Sequence, residues 1–180
     1  MKNVHLILGG ARSGKSRLAE SLALSNGKPV HYIATAEIKD PEMSYRVSQH
    51  QARRPSHWTI TETPLLLAET LNDLATPNSI VLVDCLTLWL SNWLCSEQPE
   101  QFQMQKRSFL KVIENKREVG CDIILVSNEV GHGIIPMGEL SRQFVDESGW
   151  LHQDIAVIAD KVDFVMAGLA MPLKPMGRAV

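Results

Sequence analysis

Short apolar runs alternate along the chain with longer segments in which apolar residues recur at helical spacing. The runs at residues 4–8, 30–34, 79–84, 122–127 and 162–167 are predicted to be buried strands, and residues 59–62 a short additional strand. Continuous apolar strands between amphipathic helices are typical of a mostly parallel sheet with helices on both faces. The predicted fold class is therefore α/β.

Helices are predicted between the strands, at residues 16–24, 41–53, 64–74, 86–94, 102–119 and 139–159. Pro64 is expected at the first helical position, where its missing N–H costs nothing. Gly120 is expected to stop the helix at residues 102–119, and Gly149 to mark a kink or close packing in the last helix. Residues 96–101 and 128–138 are predicted to be loops, and the tail from Met171 to be mobile.

Composition fits one globular domain spanning residues 1–180. The chain has 44% hydrophobic residues, 21% charged residues and a formal net charge of −2. This balance argues against nucleic-acid binding, and no apolar stretch is long enough to predict a membrane span. The three cysteines form no C-x-x-C pair, which indicates reduced thiols in a cytoplasmic protein.

The strongest motif follows the first predicted strand and opens the first predicted helix. It reads Gly9-Gly10-Ala11-Arg12-Ser13-Gly14-Lys15-Ser16 and fits the phosphate-loop pattern G-x-x-x-x-G-K-[ST]. Its glycines let backbone N–H groups turn inward toward phosphate oxygens. Lys15 would contact the β- and γ-phosphates as a catalytic cation, and the Ser16 hydroxyl would bind Mg²⁺. The motif predicts an enzyme that binds GTP or ATP, with all eight residues at the nucleotide.

Asp84 closes the apolar strand at residues 79–84. In phosphate-loop proteins an acid at this place contacts Mg²⁺ directly or through water, so Asp84 joins Ser16 as a predicted metal ligand. The alternative is that Asp84 caps the helix that follows it.

The segment from residue 46 to residue 62 is rich in arginine and contains His50. Arginine forks suit polyphosphate recognition, and a neutral imidazole can attack phosphorus to give a phosphoramidate. His57 is a second candidate nucleophile, although it follows the helix-ending Pro55. The plain alternative is a solvated helix face without a chemical role.

The chain resembles the bifunctional adenosylcobinamide kinase / adenosylcobinamide-phosphate guanylyltransferase family over nearly its whole length. The resemblance rests on the phosphate loop and on ordered motifs that follow it: Tyr32-Ile33-Ala34-Thr35-Ala36; Arg46-Val47 with His50; Arg54-Pro55 with Trp58, Thr61 and Glu62; Asp84-Cys85-Leu86-Thr87 with Trp89; Asn128-Glu129-Val130-Gly131 with Gly133 and Pro136; and Arg142, Phe144 and Asp146 with Gly149. The chain differs from the family pattern at His152-Gln153, where the family has Asn before Gln.

The resemblance implies two reactions. The γ-phosphoryl group of ATP or GTP passes to adenosylcobinamide, and GMP from GTP then passes through a histidine to adenosylcobinamide phosphate, with release of pyrophosphate. By position His50 is the guanylylated residue. The implied nucleotide contacts beyond the phosphate loop are Ala34, Thr35, Ala36, Gln51, Ala52, Arg53, Arg54, Glu62 and Asp84. A homotrimer is also implied.

Two other functions are compatible with a phosphate loop. A monofunctional small-molecule kinase would transfer phosphate without a covalent GMP adduct, and a nucleotide-binding regulator would bind without turnover. His132 is a loop residue that could touch ligand, whereas His5 and His31 are expected to be structural. Trp89 and Trp93, spaced i and i+4, favour helix packing or an oligomer contact over a platform for the corrin ring.

Overall fold

A single sheet organises the molecule. The computed structural model describes residues 3–37 and 55–174, and its 7-stranded sheet has the order β3-β2-β4-β5-β1-β6-β7. The strands are β1 (Val4–Gly9), β2 (Val30–Ala34), β3 (Thr59–Glu62), β4 (Ile80–Asp84), β5 (Asp122–Asn128), β6 (Lys161–Met166) and β7 (Leu169–Lys174). The first six are parallel, and β7 is antiparallel to β6. The predicted parallel sheet is confirmed.

Helices connect the strands. They are α1 (Lys15–Ser25), α2 (Leu67–Leu74), α3 (Leu86–Leu94), α4 (Phe102–Val119) and α5 (Glu139–Ile158). The chain leaves α4 at Gly120, whose φ of 91° is left-handed, so this predicted stop is confirmed. In the described ranges no helix is both long and apolar enough to cross a bilayer.

The helices divide between the two faces of the sheet. Ala19 and Ala23 of α1 pack against one face in a cluster with Ile7 and Leu82. Helices α2, α3, α4 and α5 share the other face, in a larger cluster of buried residues. Helices on both faces, as predicted, leave the carboxyl edge of the parallel strands open for ligands.

The tryptophans of α3 belong to this larger cluster. Trp89 is fully buried between the rings of Phe102 and Phe109, with centroids 5.3 Å and 5.2 Å away. The indole N–H groups of Trp89 and Trp93 both donate to the Leu65 carbonyl, at 2.8 Å and 3.2 Å. Helix packing is therefore the correct interpretation of this pair. Truncating a buried tryptophan of this kind costs about 3–5 kcal/mol.

The start of α2 was predicted wrongly. The helix begins at Leu67, and Pro64 lies before it rather than at its first position. The Pro64 carbonyl accepts a hydrogen bond from the Asn92 amide at 3.0 Å. The next carbonyl, that of Leu65, accepts the hydrogen bonds of Trp89 and Trp93 described above. In a helix that began at Pro64, these carbonyls would instead accept hydrogen bonds from backbone N–H groups of the helix itself. The predicted loop at residues 96–101 contains a short 3-10 helix, Pro99–Gln101.

The prediction of a mobile tail from Met171 was also wrong for residues 171–174, whereas residues 175–180 lie outside the described ranges. Leu169–Lys174 forms β7, joined to β6 by Ala167 and Gly168 with φ of 52° and 78°. Two left-handed residues are what a tight hairpin turn needs. Sequence patterns hid the strand because its side chains are exposed from Leu169 to Leu173 and it contains Pro172, which only an edge strand tolerates.

Gly149 lies inside α5 without a close neighbour. A Cβ added there would meet nothing within 4 Å, so close packing does not explain this glycine. The kink stays a prediction. Most other strand and helix ends fall within one or two residues of the predicted positions, which is the usual scatter of element ends.

Candidate nucleotide site

The phosphate loop connects β1 to α1 at the carboxyl edge of the sheet. A Cβ on Gly9 would lie 2.5 Å from the Val165 carbonyl oxygen and 2.6 Å from the Ser13 hydroxyl, so no larger residue fits. Gly14 has a φ of 102°, which glycine adopts without steric cost. The loop therefore lies between a strand and a helix, as predicted, and both glycines are required by geometry.

Polar groups inside this loop lack partners that an anion would supply. The Ser13 hydroxyl is buried with no hydrogen-bond partner in the described structure. Lys15, 8% exposed, donates its ammonium to the Gly10 carbonyl at 3.1 Å. Burial lowers the pKa of Lys15, and the negative charge of Asp84 opposes that shift. A buried cation and a free hydroxyl at a helix N-terminus suit a phosphate group.

Asp84 stands at the carboxyl end of β4, where it acts on Lys15. Its carboxylate accepts a hydrogen bond from the Tyr32 hydroxyl at 3.0 Å. The residue that caps α3 is Cys85, and no side-chain capping bond is formed there. The alternative of Asp84 as a helix cap is therefore wrong, and contact of its carboxylate with Mg²⁺ stays a prediction.

The donor set at this site fits Mg²⁺. Ser16 lies half-buried in the first turn of α1, and Asp84 supplies one carboxylate. Mg²⁺ in nucleotide sites is held by one or two protein oxygens together with phosphates and water. The described residues contain no group of three or more His, Cys, Asp or Glu side chains that could hold a metal by itself.

The ends of β2 and β3 extend this edge of the sheet. Ala34 is paired with Glu62 on one side and with Asp84 on the other. Directly paired residues point to the same face, here the face covered by α1. Thr35 is fully buried, and its hydroxyl exchanges hydrogen bonds with the backbone of Cys85, at 2.7 Å and 2.9 Å. That side chain joins β2 to β4, and a nucleotide contact at Ala34, Thr35, Ala36 or Glu62 stays a prediction.

Several predicted site residues fall outside the described ranges. They are Arg46, His50, Gln51, Ala52, Arg53 and Arg54, together with the rest of the helix predicted at residues 41–53.

His57, the rival nucleophile, is exposed in a turn before β3, closed by the Trp58 N–H donating to the Pro55 carbonyl at 3.2 Å. Because β3 is parallel to β2, this turn lies at the amino edge of the sheet, opposite the phosphate loop. His57 therefore does not face the site.

The other histidines divide between structural and site positions. His5 is buried against Asp163 at 2.8 Å, as expected for a structural residue, and His31 lies within β2. His132 lies in the loop after β5, with its ring tilted against that of Phe164 and the centroids 5.7 Å apart. His152 is buried and bonded to Ser127 at 2.7 Å, directly behind Glu129.

Sequence reasoning missed two features beside the phosphate loop. The Gly168 N–H donates to the Ser13 carbonyl at 2.8 Å, so the hairpin turn supports the loop. The Glu129 N–H donates to the Gly9 carbonyl at 3.0 Å, which fixes the end of β5 against the loop. Glu129 could have been found as an acid that directly follows a buried strand. No sequence signal marks the hairpin contact.

Comparison with known proteins covers nearly the whole chain. A model of the family "Cobinamide kinase / cobinamide phosphate guanyltransferase" matches residues 5–173. The bifunctional adenosylcobalamin biosynthesis protein CobP of Pseudomonas aeruginosa is 54% identical over 94% of this chain and 96% of its own length. The proteins named CobU of Escherichia coli and Salmonella typhimurium are each 35% identical over 94% of this chain and 98% of their own length.

Among solved structures, a KaiC-like protein of Pyrococcus horikoshii is similar over 91% of this chain and 70% of that chain. Its TM-score is 0.49 and its sequence identity 15%.

Proposed function

This chain belongs to the cobinamide kinase / cobinamide phosphate guanyltransferase family, and we propose on that basis that it is a bifunctional transferase of cobalamin biosynthesis. It phosphorylates adenosylcobinamide with ATP or GTP. It then transfers GMP from GTP to adenosylcobinamide phosphate, releasing pyrophosphate and forming adenosylcobinamide-GDP.

The observation that carries the proposal is the buried Lys15 beside Asp84 in a loop of inward-facing polar groups. Phosphoryl transfer depends on positioning and charge neutralisation more than on covalent chemistry. The Lys15 ammonium can leave the Gly10 carbonyl for a β- or γ-phosphate oxygen, at little cost because both partners are oxygen acceptors. The Ser13 hydroxyl is ready to donate to the same anion.

Mg²⁺ would be held by Ser16 and Asp84 with oxygens of the triphosphate. When bound it would neutralise charge that develops on the phosphates. The Tyr32 hydroxyl keeps the Asp84 carboxylate oriented by its 3.0 Å hydrogen bond. In this proposal Lys15 contacts the phosphates and Asp84 binds the metal.

We propose that the second reaction passes through His50. An imidazole nitrogen of His50 attacks the α-phosphorus of GTP, the bond to the bridging oxygen breaks, and pyrophosphate leaves. A phosphate oxygen of adenosylcobinamide phosphate then attacks the same phosphorus and displaces the imidazole. Gln51, Ala52, Arg53 and Arg54 are proposed to contact the guanine nucleotide, on the strength of the family resemblance.

The two reactions place different phosphorus atoms of the nucleotide at the reacting group, although they share one phosphate loop. The first reaction needs the γ-phosphorus in front of an alcohol, and the second needs the α-phosphorus in front of His50. We therefore propose that the nucleotide or the segment carrying His50 shifts between the two reactions.

Labelled GTP tests the covalent step. Incubation with Mg²⁺ and GTP labelled at the α-phosphorus should leave acid-labile, base-stable label on the protein, and the intact mass should rise by one GMP. His50→Ala should abolish the label, whereas His57→Ala should keep it because His57 lies at the opposite edge of the sheet. Label retained in His50→Ala would contradict the assignment.

Addition of adenosylcobinamide separates the remaining functions. Formation of adenosylcobinamide phosphate and then of adenosylcobinamide-GDP supports the bifunctional proposal. Phosphorylation without any GMP adduct would instead indicate a monofunctional kinase. Nucleotide binding without either product would indicate a regulator.

We further propose a cytoplasmic homotrimer. Cys85 and Cys121 are buried free thiols, a state that a reducing compartment preserves. Large apolar side chains are exposed on the loop after β5 and on β7, with Ile134 97% exposed and Leu169 71% exposed. Apolar surface of this kind is typical of protein contacts. Light scattering coupled to gel filtration would give the subunit number, and a monomeric mass would contradict the trimer.

A further inference from the structure

Three polar side chains gather where β5 ends, on the side of the sheet covered by α5. This β5-end cluster consists of Ser127, Glu129 and His152. Ser127 is fully buried and His152 is 6% exposed, so the cluster is closed to solvent behind Glu129. The Glu129 side chain is 19% exposed and forms its outer member.

Glu129 is held in place from three directions. Its backbone N–H donates to the Gly9 carbonyl at 3.0 Å, which fixes it to the first residue of the phosphate loop. One carboxylate oxygen accepts the Gly131 N–H at 2.6 Å, and the other faces His152 Nδ1 at 3.6 Å. A carboxylate fixed in this way at the loop that binds triphosphate is positioned for a task there.

The charge state of the cluster follows from its burial. Burial lowers the pKa of His152, and the Glu129 carboxylate opposes the shift. A neutral imidazole with its proton on Nδ1 would face the carboxylate, while Nε2 would accept a hydrogen bond from the Ser127 hydroxyl at 2.7 Å. His152 then has no free acceptor, so a proton taken up by Glu129 stays on Glu129 until solvent removes it.

Three carboxylates end or directly follow parallel strands at the carboxyl edge in the described ranges: Glu62, Asp84 and Glu129. Asp84 already interacts with Lys15 and the Tyr32 hydroxyl. Glu62 ends β3, and three strands (β2, β4 and β5) lie between β3 and β1 in the sheet. Glu129 follows β5, the direct neighbour of β1. Of the three, Glu129 is thus the carboxylate that lies next to the phosphate loop and is not proposed to hold the metal.

We propose that Glu129 is a catalytic residue of the phosphoryl-transfer step, as the acceptor of the proton of the corrinoid alcohol. This inference rests on the proposed function. The alcohol oxygen forms a bond to the γ-phosphorus, the bond from that phosphorus to the β,γ-bridging oxygen breaks, and the nucleoside diphosphate leaves. The alcohol proton passes to the Glu129 carboxylate and then to water. His152 and Ser127 are positioning residues for that carboxylate.

The proposal separates the two reactions of the protein. The guanylyl-transfer reactions use an imidazole and then a phosphate oxygen as nucleophiles, and neither loses an alcohol proton. Removing the charge of Glu129 should therefore affect phosphorylation and spare the GMP reactions. A residue that only shapes the phosphate loop would affect both, because both use the same triphosphate site.

The test compares Glu129→Gln with the wild type in both reactions. Glutamine keeps an oxygen for the Gly131 N–H and loses the base. We expect kcat for phosphorylation of adenosylcobinamide to fall about 100-fold or more, with KM for the nucleotide unchanged. The rates of GMP–protein formation from GTP and of GMP transfer to supplied adenosylcobinamide phosphate should stay at the wild-type level. Glu69→Gln, the same change on the exposed side of α2, is the matched control and should alter neither reaction.

His152 variants test the positioning role. His152→Leu should lower kcat for phosphorylation without changing KM, and His152→Asn should restore it, because the asparagine amide reaches the place of Nδ1 and can donate to Glu129. Equal losses in both reactions, or phosphorylation by Glu129→Gln at the wild-type rate, would overturn the role of Glu129 while leaving the proposed function intact. A wild-type protein that forms the GMP adduct but never phosphorylates the corrinoid would overturn the kinase half of the function and this role together.

Discussion

The backbone N–H of Gly168 donates to the carbonyl of Ser13 at 2.8 Å and thereby joins the β6–β7 turn to the phosphate loop. A Cβ on Gly14 would lie 3.2 Å from Gly168 Cα, so the two segments touch along their backbones. The loop is therefore supported from two sides, by this turn and by the Glu129 N–H on the Gly9 carbonyl. Support of this kind lets the loop keep its shape before the triphosphate arrives, which lowers the cost of binding.

Gly9 and Gly10 make a matched pair for testing that shape. Gly9→Ala would place a methyl group 2.5 Å from the Val165 carbonyl oxygen, whereas a Cβ on Gly10 meets nothing within 4 Å. We expect Gly9→Ala to lower the free energy of unfolding by about 1–3 kcal/mol and to weaken triphosphate binding. Gly10→Ala should change stability little. Chemical denaturation and calorimetric titration with GTP would measure both effects, and equal losses in the two variants would contradict the packing argument.

Tyr32 connects the core to Asp84, the proposed metal ligand. Tyr32→Phe keeps the ring stacked on Trp58, 6.3 Å between centroids, but removes the hydroxyl that donates to Asp84. The freed carboxylate should rotate more and bind Mg²⁺ less well. We expect a several-fold higher Mg²⁺ concentration for half-maximal phosphorylation, together with a loss of about 1 kcal/mol in stability.

A Mg²⁺ titration of initial rates at saturating nucleotide would measure the effect. Asp84→Asn, which removes the charge itself, should show a larger shift in the same direction. A wild-type Mg²⁺ dependence in Tyr32→Phe would show that the hydroxyl does not position the carboxylate.

Local patterns were enough to predict the phosphate loop, the strand ending at Asp84 and the stop at Gly120, because each depends on residues next to one another in the chain. Features that depend on distant residues were missed. The start of α2 is set by Asn92 and Trp89 on another helix. The strand β7 is set by pairing with β6, since its own residues are exposed.

The same limit applied inside the site. The G-x-x-x-x-G-K-[ST] spacing predicted Lys15 because the motif consists of consecutive residues. Glu129, by contrast, faces His152, which lies 23 residues later in the chain (position 152 against position 129) and on a different element. Only the packing of α5 on the sheet brings them together. Asp84 remained ambiguous in the sequence because an acid before a helix can cap it, and the fold resolved this by placing Cys85 at the cap.

The cysteines should differ in reactivity. Burial raises the pKa of the Cys85 thiol to about 11, with the charge of Asp84 adding to the shift. Burial also raises the pKa of Cys121, whereas Cys95 is exposed. Because the thiolate is the reactive form, iodoacetamide at mildly alkaline pH should label Cys95 alone in the folded protein. Peptide mass spectrometry would locate the label, and a urea-unfolded sample should show all three sites. Rapid labelling of Cys85 in the folded protein would contradict its burial.

Stability should fall on mild acidification because of two buried histidines. Burial lowers the pKa of His5 below its usual value of about 6.5, with Asp163 opposing and Lys161 adding to the shift. Burial lowers the pKa of His152 as well. A base whose folded-state pKa is depressed binds its proton more readily in the unfolded chain. Stability is therefore complete above the unfolded pKa of about 6.5 and is lost as the pH falls below it.

We expect the urea midpoint to fall between about pH 7.5 and about pH 5.5, a range mostly above the titration of ordinary carboxylates. His5→Gln keeps a donor for Asp163 at the place of Nε2 but cannot titrate, so its midpoint should fall less over the same range. A His5→Gln slope equal to that of the wild type would mean that His5 gains its proton in the folded state as easily as in the unfolded one.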